Sequence, residues 1–326
     1  MVTIQDIADA SGVSISTVSR ALSDSPRISQ KTRDLIHKIA KEMGYTPSFA
    51  AKNLMAPESN TVGVVFQPQN SGISGNDFVM HEMFGINHEL GQKNYLLATA
   101  TGTNWREVYE SVKMMVEAGK VRRFILLYTT KHDPITQLLK EYNARVVVTG
   151  EPQWMGETLF VDNDNYQAAY EVTQQLIKKF KLQKPLFVRT TAEWLYEENR
   201  ERGFLNAMPN AEVLRLSENF AEQKGQLRDY FEIHPDVDGI VATDDKIAFL
   251  AQHQAEAHLS SHAKLPTVGF NATEYGQLSG KNFFSVDVQP MLLGAEAVHV
   301  LFNDQIHENP DEASQNVIVP YKLPKF

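Results

Sequence analysis

The chain has 326 residues, 42% of them hydrophobic, and carries a net charge of −9. This length suits two or three domains rather than one simple core, and the composition is that of a globular protein. No apolar run is long enough to span a membrane, and the N-terminus shows no signal-peptide pattern, so we expect a cytoplasmic protein. The absence of cysteine excludes disulfides, thiolate metal sites and cysteine nucleophiles.

The charge is distributed unevenly along the chain. Residues 1–60 contain seven Lys and Arg against six Asp and Glu, a balance of +1, and the remaining residues carry −10. Because an acidic surface repels phosphate groups, only the N-terminal segment could approach nucleic acid without a general electrostatic penalty.

Residues 3–22, TIQDIADASGVSISTVSRAL, predict a helix, a turn and a second helix. Thr3 is a good N-cap, and Gly12 can end the first helix in a left-handed backbone conformation. In the second helix Val18 and Leu22 are four residues apart and predict an inward-facing stripe. The polar side chains around that stripe are then expected to point outward: Ser16, Thr17, Ser19 and Arg20.

A third helix is predicted in the sequence SQKTRDLIHKIAKEMGY, capped by Ser29 and ended by Gly44. This helix is expected to bury three apolar side chains: Leu35, Ile36 and Ile39. Three short helices around one apolar centre would form a small folded head. The following segment, TPSFAAKNLMAPESN, is bounded by Pro47 and Pro57 and predicts a linker with one short helical stretch.

Beyond Thr61 the pattern changes to short β-rich runs that alternate with amphipathic stretches of helical length, such as 78–93, 105–118 and 165–179. This alternation predicts parallel sheets with crossover helices. Nine strands in this part of the chain favour two sheets, with the break near Val161 and Asp162. The nine runs are TVGVVF, YLLATA, RFILLY, ARVVVT, TLFVD, KPLFVR, VDGIVAT, PTVGF and FFSVDV.

Residues 3–22, with the following ISQKTRDLIHKIAKEMGYTPSFAAKNL, closely resemble the DNA-binding head and hinge of LacI-type transcription regulators. Further family marks are VDNDN, NRERGF, VDGIVATDDKIA, VGFNATE and VQPMLLG. The resemblance implies an α/β protein with a three-helix helix-turn-helix head, a hinge and a two-lobed periplasmic-binding-protein-like core with parallel sheets. The implied divisions are a head at 1–46, a hinge at 47–60 and a core at 61–326, with an N-lobe at about 61–161 and 289–318 and a C-lobe at about 162–288.

The resemblance also implies the DNA contacts, because a recognition helix reads base edges with outward polar side chains. Ile15, Ser16 and Arg20 match base-reading positions, and apolar Ile15 should prefer a thymine methyl. Leu54 matches a hinge leucine that enters the minor groove and unstacks a central base step. For the recognition helix, the alternative is a solvated helix in a small structural cap. For Leu54, the alternative is a leucine used only for packing. Positions that match phosphate and backbone contacts are Thr3, Ser14, Thr17, Ser19, Arg27, Thr32 and Tyr45.

In the implied core, a ligand binds between two α/β lobes, at the loops after the strand ends. Arg200 matches an arginine that grips sugar hydroxyls, although a surface ion pair with Glu197 or Glu201 is the alternative. Phe220 matches a position where the family often has an aromatic platform for a sugar ring. The alternative is that Phe220 packs in the core. The other candidate effector-binding residues are Asp77, Phe78, Asp162, Trp194, Tyr196, Asp244 and Asn271, of which Asp244 and Asn271 stand where the family commonly has asparagine and aspartate.

These features predict a DNA-binding repressor of a carbohydrate-utilisation operon, a homodimer on a pseudo-palindromic operator, with a small sugar effector, no cofactor and no membrane partner. GNDFVMHEMFGINHELGQKNYLL and MMVEAGKVRRFILLY most resemble the maltose-operon regulators of low-GC Gram-positive bacteria, so maltose or a related α-glucoside is the expected effector. The alternatives are a catabolite-type regulator with a phosphocarrier protein as co-effector and a purine-responsive repressor.

Two other classes fit the sequence less well. A transport-type sugar-binding protein would have a signal peptide and no head, and an α/β enzyme would show a nucleotide-binding or nucleophile motif, which the sequence lacks. His258 and His262 have helical spacing but no third ligand nearby in the sequence, so no metal is expected.

Overall fold

The computed structural model describes residues 2–45, 58–68, 77–128, 134–152, 159–259, 264–304 and 316–326. Leu54 and His262 lie outside these ranges. The chain divides into two compact units, 1–59 and 60–326. None of the helices in the described ranges is both long enough and apolar enough to cross a membrane.

The first unit contains the three predicted helices, α1 (Ile4–Ser11), α2 (Ile15–Leu22) and α3 (Gln30–Glu42). Thr3 caps α1 in a reciprocal capping box with Asp6, which satisfies backbone groups at the helix start. After α1, Gly12 adopts a φ of 69°, the left-handed conformation that lets the chain turn into α2. The side chains of Ser14 and Ser29 cap α2 and α3.

The three helices share one small apolar centre, in which Ile7, Val18 and Ile36 are completely buried. The prediction that Leu35 is buried is wrong, because its side chain is 48% exposed. Successive residues of a helix point about 100° apart, so the face of α3 that carries Ile36 and Ala40 into the centre turns Leu35 toward solvent.

The second unit contains two sheets whose strands all run parallel. The strand order is β11-β5-β4-β3-β1-β2 in the first sheet and β10-β9-β8-β6-β7 in the second. The strands are β1 (Thr61–Val65), β2 (Leu96–Ala100), β3 (Arg123–Leu126), β4 (Arg145–Thr149), β5 (Leu159–Asn163), β6 (Pro185–Thr190), β7 (Glu212–Leu216), β8 (Gly239–Ala242), β9 (Thr267–Phe270), β10 (Phe283–Val286) and β11 (Val317–Val319).

All nine predicted strands are present, and the break between the two sheets follows β5, as predicted. Two strands were missed, and both lie at the edge of a sheet. In β7 the charged Glu212 and Arg215 interrupt the apolar run. β11 has three residues and returns to the first sheet beside β5.

Helices connect and cover the strands, as expected for parallel sheets. They are α4 (Asp77–Gln92), α5 (Trp105–Glu117), α6 (Pro134–Glu141), α7 (Asn165–Phe180), α8 (Leu195–Ala207), α9 (Phe220–Ile233), α10 (Asp245–His258), α11 (Tyr275–Ser279) and α12 (Pro290–Leu301). The three helical stretches predicted from periodicity correspond to α4, α5 and α7 within one residue at each end.

Each sheet has an apolar core on both faces, because successive side chains of a buried strand point to opposite sides. Val64 of β1 packs into the core beneath α4 and α12, whereas Val65 packs into the core with α5 and α6. In the second sheet, Val188 and Phe187 of β6 divide between two cores in the same way.

The helices α4 and α12 pack unusually closely. A Cβ atom on Gly294 would lie 2.1 Å from the carbonyl oxygen of Glu82, and one on Gly85 would lie 2.0 Å from that of Met291. Because backbone atoms cannot move aside locally, glycine is required at both positions. This contact fixes the first two turns of α4, which line the main cavity of the unit.

Candidate functional site

In the first unit, the surface of α2 matches the predicted recognition face. Ser16, Ser19 and Arg20 are exposed, and Thr17 is half-buried. Ile15, the first residue of the helix, is 45% exposed although it is apolar, whereas Val18, three residues further along, is completely buried. The helix therefore presents donors, acceptors and one aliphatic group outward, which is the chemistry needed to read a DNA major groove.

The hydroxyl groups at the starts of α2 and α3 form local hydrogen bonds. Ser14 Oγ lies 2.9 Å from both Ser16 Oγ and Thr17 Oγ1, and Ser29 Oγ lies 2.8 Å from Thr32 Oγ1. The same helix starts carry free backbone N–H groups that can bind phosphate. Ser14, Thr17 and Thr32 thus order these helix ends as well as being candidates for backbone contacts.

The remaining predicted DNA contacts occupy different environments. Arg27 is exposed, Thr3 is held in its capping box, and Tyr45 is half-buried against the apolar centre of the head. Arg33, which was not predicted, donates to the carbonyl oxygen of Ser25 at 3.0 Å and so fixes the turn before α3. The predicted contact of Leu54 lies outside the described residues.

In the second unit, a cavity of about 390 Å³ lies at the carboxyl ends of strands from both sheets. The first sheet contributes residues that follow or end β1, β3, β4 and β5, and the second contributes residues that follow β6, β8 and β9. Open parallel sheets bind ligands at this edge because the loops there converge around a crevice.

Eight of the nine predicted effector-binding residues line this cavity, and one does not. The eight come from α4, β5, the loop after β6, α8 and the loops after β8 and β9. They are Asp77, Phe78, Asp162, Trp194, Tyr196, Arg200, Asp244 and Asn271.

Arg200 of α8 is the central cation of the cavity and is only 4% exposed. Its Nε donates to Asn165 Oδ1 at 2.9 Å, and its Nη1 donates to the carbonyl oxygen of Thr243 at 2.5 Å. The guanidinium carbon lies 4.1 Å from the ring centre of Phe270 and 5.1 Å from that of Tyr196. These contacts hold the guanidinium plane in one orientation, as recognition of paired oxygens requires.

The alternative of a surface ion pair for Arg200 does not agree with the structure. Glu197 lies 3.5 Å from Arg189, and Glu201 binds both Arg189 and Arg215. Burial lowers the pKa of Arg200, and charge interactions with Tyr196, Asp162, Asp244 and Glu197 oppose that shift. The guanidinium therefore remains the counter-charge of the carboxylates around it.

Two aspartates flank this cation. Asp162 at the end of β5 accepts hydrogen bonds from the backbone of Glu151 and Asn163 at 2.8 and 2.7 Å. Asp244 caps α10 by accepting from the Ile247 backbone at 2.7 Å. Burial raises the pKa of both carboxyls, whereas these hydrogen bonds and the charge of Arg200 lower it. Such oriented oxygens can accept hydrogen bonds from ligand hydroxyls.

Asn271 has a φ of 96°, outside the range that side-chain-bearing residues usually adopt. Its backbone N–H donates to Val286 at 2.9 Å, which ties the loop to β10. Strained backbone of this kind is concentrated at binding sites, where surrounding contacts hold it in place.

Phe220 does not line the cavity. Its ring is 54% exposed at the start of α9, and Lys246 Nζ lies 4.7 Å from the ring centre. Lys246 itself lines the cavity, so Phe220 borders the site through this lysine. A core position for Phe220, the other interpretation of the sequence, is also wrong.

Several lining residues were missed by the sequence interpretation. Asn165 belongs to the VDNDN motif and Asp245 to ATDDK, so their motifs could have indicated them. Glu82 had a weaker signal, an acid spaced four residues from Phe78 and Ile86 on the apolar face of α4. Among the described residues, no group of three or more His, Asp or Glu side chains is placed to hold a metal ion.

A helix-turn-helix head joined to a two-sheet core with a ligand-sized cavity defines a class of protein, the ligand-responsive transcription regulators. Residues 3–48 match the family described as bacterial regulatory proteins, lacI family. Residues 74–325 match periplasmic binding proteins and sugar binding domain of LacI family. The chain belongs to the LacI family of bacterial regulators.

Individual relatives agree with this assignment. The chain is 32% identical to the HTH-type transcriptional regulator MalR of Staphylococcus xylosus, covering 93% of this chain and 91% of that protein. It is 28% identical to MalR of Streptococcus pneumoniae serotype 4 (strain ATCC BAA-334 / TIGR4), covering 85% and 90%. The structure of the lac repressor dimer bound to operator shares the fold, with a TM-score of 0.76 at 18% identity over 99% and 98% of the chains.

These findings confirm the predicted family, including the resemblance to MalR regulators, and the predicted α/β fold. They also confirm the prediction of a DNA-binding transcription regulator with a sugar-binding domain, rather than an enzyme. Regulators of this family bind operator DNA and sugar effectors.

Proposed function

We propose that the protein is a homodimeric repressor that binds a pseudo-palindromic operator in the cytoplasm and changes its operator affinity when the core cavity binds maltose or a related α-glucoside. The observation that carries the proposal is the cavity at the strand ends, where the fixed guanidinium of Arg200 lies among carboxylates and aromatic rings. The effector is thus a small molecule with many hydroxyl groups.

The chemistry of the lining supports a sugar. Asp162 and Asp244 offer oriented acceptor oxygens, Arg200 offers donors, and Trp194 and Tyr196 offer flat apolar surfaces. A sugar has hydroxyls around its rim and C–H groups on its faces, so it can use both kinds of surface at once. A volume of about 390 Å³ has room for a disaccharide-sized ligand.

The choice of an α-glucoside rests on relatives. One similar structure is described as a probable maltose operon transcriptional repressor from Staphylococcus aureus, with a TM-score of 0.71 at 20% identity over 83% of this chain and 98% of that chain. Another is a CelR–cellobiose complex, with a TM-score of 0.70 at 21% identity over 99% of both chains. Both descriptions name a disaccharide of glucose, maltose for the regulated operon and cellobiose for the bound ligand.

For the DNA side, we infer that Ile15, Ser16 and Arg20 read bases and that the polar helix ends contact the backbone. One recognition helix covers too few base pairs for selectivity, so a symmetric pair of heads on a pseudo-palindrome is required. Exposed apolar side chains on α4 and α12 support a homodimer, because large apolar groups in contact with water favour association. These are Met80, Phe84 and Met291.

The runner-up is a catabolite-type regulator with a phosphocarrier protein as co-effector. The chain is 25% identical over 332 residues to catabolite control protein A of Staphylococcus epidermidis. A purine-responsive repressor is a further alternative, in which the aromatic rings of the cavity would stack on a base.

The test combines two measurements on the full chain. Binding sites selected from random DNA should be palindromic, and calorimetry should show binding of maltose or another glucose disaccharide. Fluorescence anisotropy should then show that the same sugar changes operator affinity. Binding of only a nucleobase, or a response only to a phosphocarrier protein, would replace the sugar with the corresponding alternative.

A further inference from the structure

Glu82 has an environment that the fold alone does not explain. It lies on α4 in the wall of the cavity and is 1% exposed. Its Oε1 atom has no hydrogen-bond partner in the part of the chain that the structure describes. Buried polar atoms are nearly always paired, and an unpaired one costs several kcal/mol in cases of full burial. An unpaired carboxyl oxygen in the wall of a ligand cavity therefore points to the ligand as its partner.

The position of Glu82 is fixed by its backbone. The glycine contact between α4 and α12 places Gly294 against the Glu82 carbonyl, so this turn of α4 cannot shift away from the cavity. Leu293 of α12 lines the cavity beside it. A side chain on such a rigid element can set ligand geometry more closely than one on a loop.

The groups around Glu82 keep its carboxyl uncharged. Burial, together with the negative charge of Asp162 on β5, raises the pKa of Glu82 to about 8, and a hydrogen bond with Thr149 of β4 opposes the shift. On α12 the ionisable groups are Glu296 and His299, two and five residues after Gly294, and His299 lies 3.1 Å from Glu89 and 3.4 Å from Glu296. At neutral pH the carboxyl thus has a proton to donate as well as an oxygen that accepts.

We propose that Glu82 is a specificity-determining effector contact, whose carboxyl donates a hydrogen bond to a hydroxyl or ether oxygen of an uncharged saccharide. The lining supports an uncharged ligand, because four carboxyls besides Glu82 stand against two cations, Arg200 and Lys246. An anionic sugar would meet this excess of acid in a site with little water to screen it. The inference rests on the proposed function and names the ligand class of the same site.

The experiment compares Glu82→Leu with Glu82→Gln by calorimetry at pH 7, with maltose, cellobiose and glucose 6-phosphate as ligands. Leucine removes the donor, and we expect it to weaken the binding of the neutral disaccharide about tenfold to hundredfold. Glutamine keeps one donor and one acceptor in the same shape, and it should stay within about threefold of wild type. Glucose 6-phosphate should bind wild type at least tenfold more weakly than the disaccharide.

The matched control is Glu89→Leu, the same change two turns along α4 and outside the cavity lining. It should leave sugar affinity unchanged, and operator binding should show that all variants are folded. Raising the pH from 7 to 9.5 should weaken sugar binding to wild type but not to Glu82→Gln, because only wild type loses the donated proton.

The outcomes separate the inference from the proposed function. If wild type binds maltose or cellobiose and Glu82→Leu binds it equally well, this inference is overturned and the proposed function stands. Preference of wild type for glucose 6-phosphate likewise overturns the inference, and it leaves a sugar-responsive repressor. If wild type binds no neutral sugar, the proposed effector class and the inference are both wrong.

Discussion

At the scale of single residues, function in this protein depends on side chains that the fold holds in unfavourable places. Ile15 is apolar and exposed, Glu82 is acidic and buried, and Asn271 has a strained backbone. A sequence motif identified Ile15 and Asn271. Glu82 was missed because a single acid on an apolar helix face is equally compatible with a solvent-exposed position, and its burial follows only from the packing of α12 on α4.

Replacement of Arg20 by alanine tests direct base reading. Arg20 is exposed on α2 and has no role in the apolar centre, so the head should stay folded. We expect a loss of about 1–3 kcal/mol at the selected operator and relaxed preference at one base position. Anisotropy titrations on operator and random DNA measure both effects.

Lys38→Ala is the matched control for Arg20, since it removes one exposed positive charge from the same head. Lys38→Ala should lower DNA affinity less than Arg20→Ala does, and by the same factor on operator and random DNA. If Arg20→Ala weakens operator and random DNA equally, Arg20 contacts phosphate rather than bases.

Glu82 also gives stability a specific pH dependence. The folded chain keeps this carboxyl protonated up to about pH 8, whereas an ordinary glutamate has a pKa of 4.5. Between these values the folded state binds more protons than the unfolded state, so the contribution of Glu82 to stability falls as pH rises. Glu82→Gln removes this dependence, and its stability relative to wild type should increase by up to about 4 kcal/mol from pH 5 to pH 8.

Urea unfolding of wild type and Glu82→Gln at the two pH values checks this expectation. The four other acids of the cavity, Asp77, Asp162, Asp244 and Asp245, are present in both proteins, so the comparison isolates Glu82 together with its interaction with Asp162. Parallel stability curves for the two proteins would mean that Glu82 is ionised in the folded state.

At the scale of elements, hydrophobic periodicity predicted the helices and strands whose formation depends on local sequence. All nine predicted strands and the three helical stretches named for the core are present, because buried parallel strands form apolar runs and their covering helices are amphipathic. The missed strands β7 and β11 depend on one neighbouring strand each, so their pairing is decided by tertiary contacts. The cavity residues were predicted from the family motifs, because hydrophobic periodicity does not show which distant strand ends meet in the fold.

The close contact of α4 and α12 can be tested by Gly294→Ala. The added methyl group would lie 2.1 Å from the Glu82 carbonyl oxygen, so the two helices must separate. We expect a loss of about 1–3 kcal/mol in unfolding free energy. Because the shift moves the turn that carries Glu82, sugar affinity should fall as well.

Gly91→Ala is the control on α4, since a methyl group there meets no atom within 4 Å. Alanine favours helix over glycine, so this variant should be as stable as wild type or more stable by up to about 1 kcal/mol. Equal stability of the two variants in denaturant unfolding would show that α4 and α12 can separate without cost.

At the scale of the whole molecule, the head and the core each supply one half of a regulator, and regulation requires that their ligands influence each other. A sugar changes operator affinity only if it binds better to one of two states of the protein. Linkage then requires that operator DNA change sugar affinity by the same factor. This equality is independent of how the two units are arranged.

Arg200→Lys tests that linkage, because it keeps the charge but loses the planar fork that contacts Asn165 and Thr243. For wild type, the ratio of operator affinities with and without sugar should equal the ratio of sugar affinities with and without operator. In Arg200→Lys, sugar affinity should fall at least tenfold while operator affinity without sugar stays within about twofold of wild type. Arg202→Lys, two residues along α8 and outside the main cavity, should behave like wild type. If Arg200→Lys loses operator affinity in the absence of sugar, Arg200 acts in coupling the two states as well as in binding, because a pure ligand contact affects only the liganded protein.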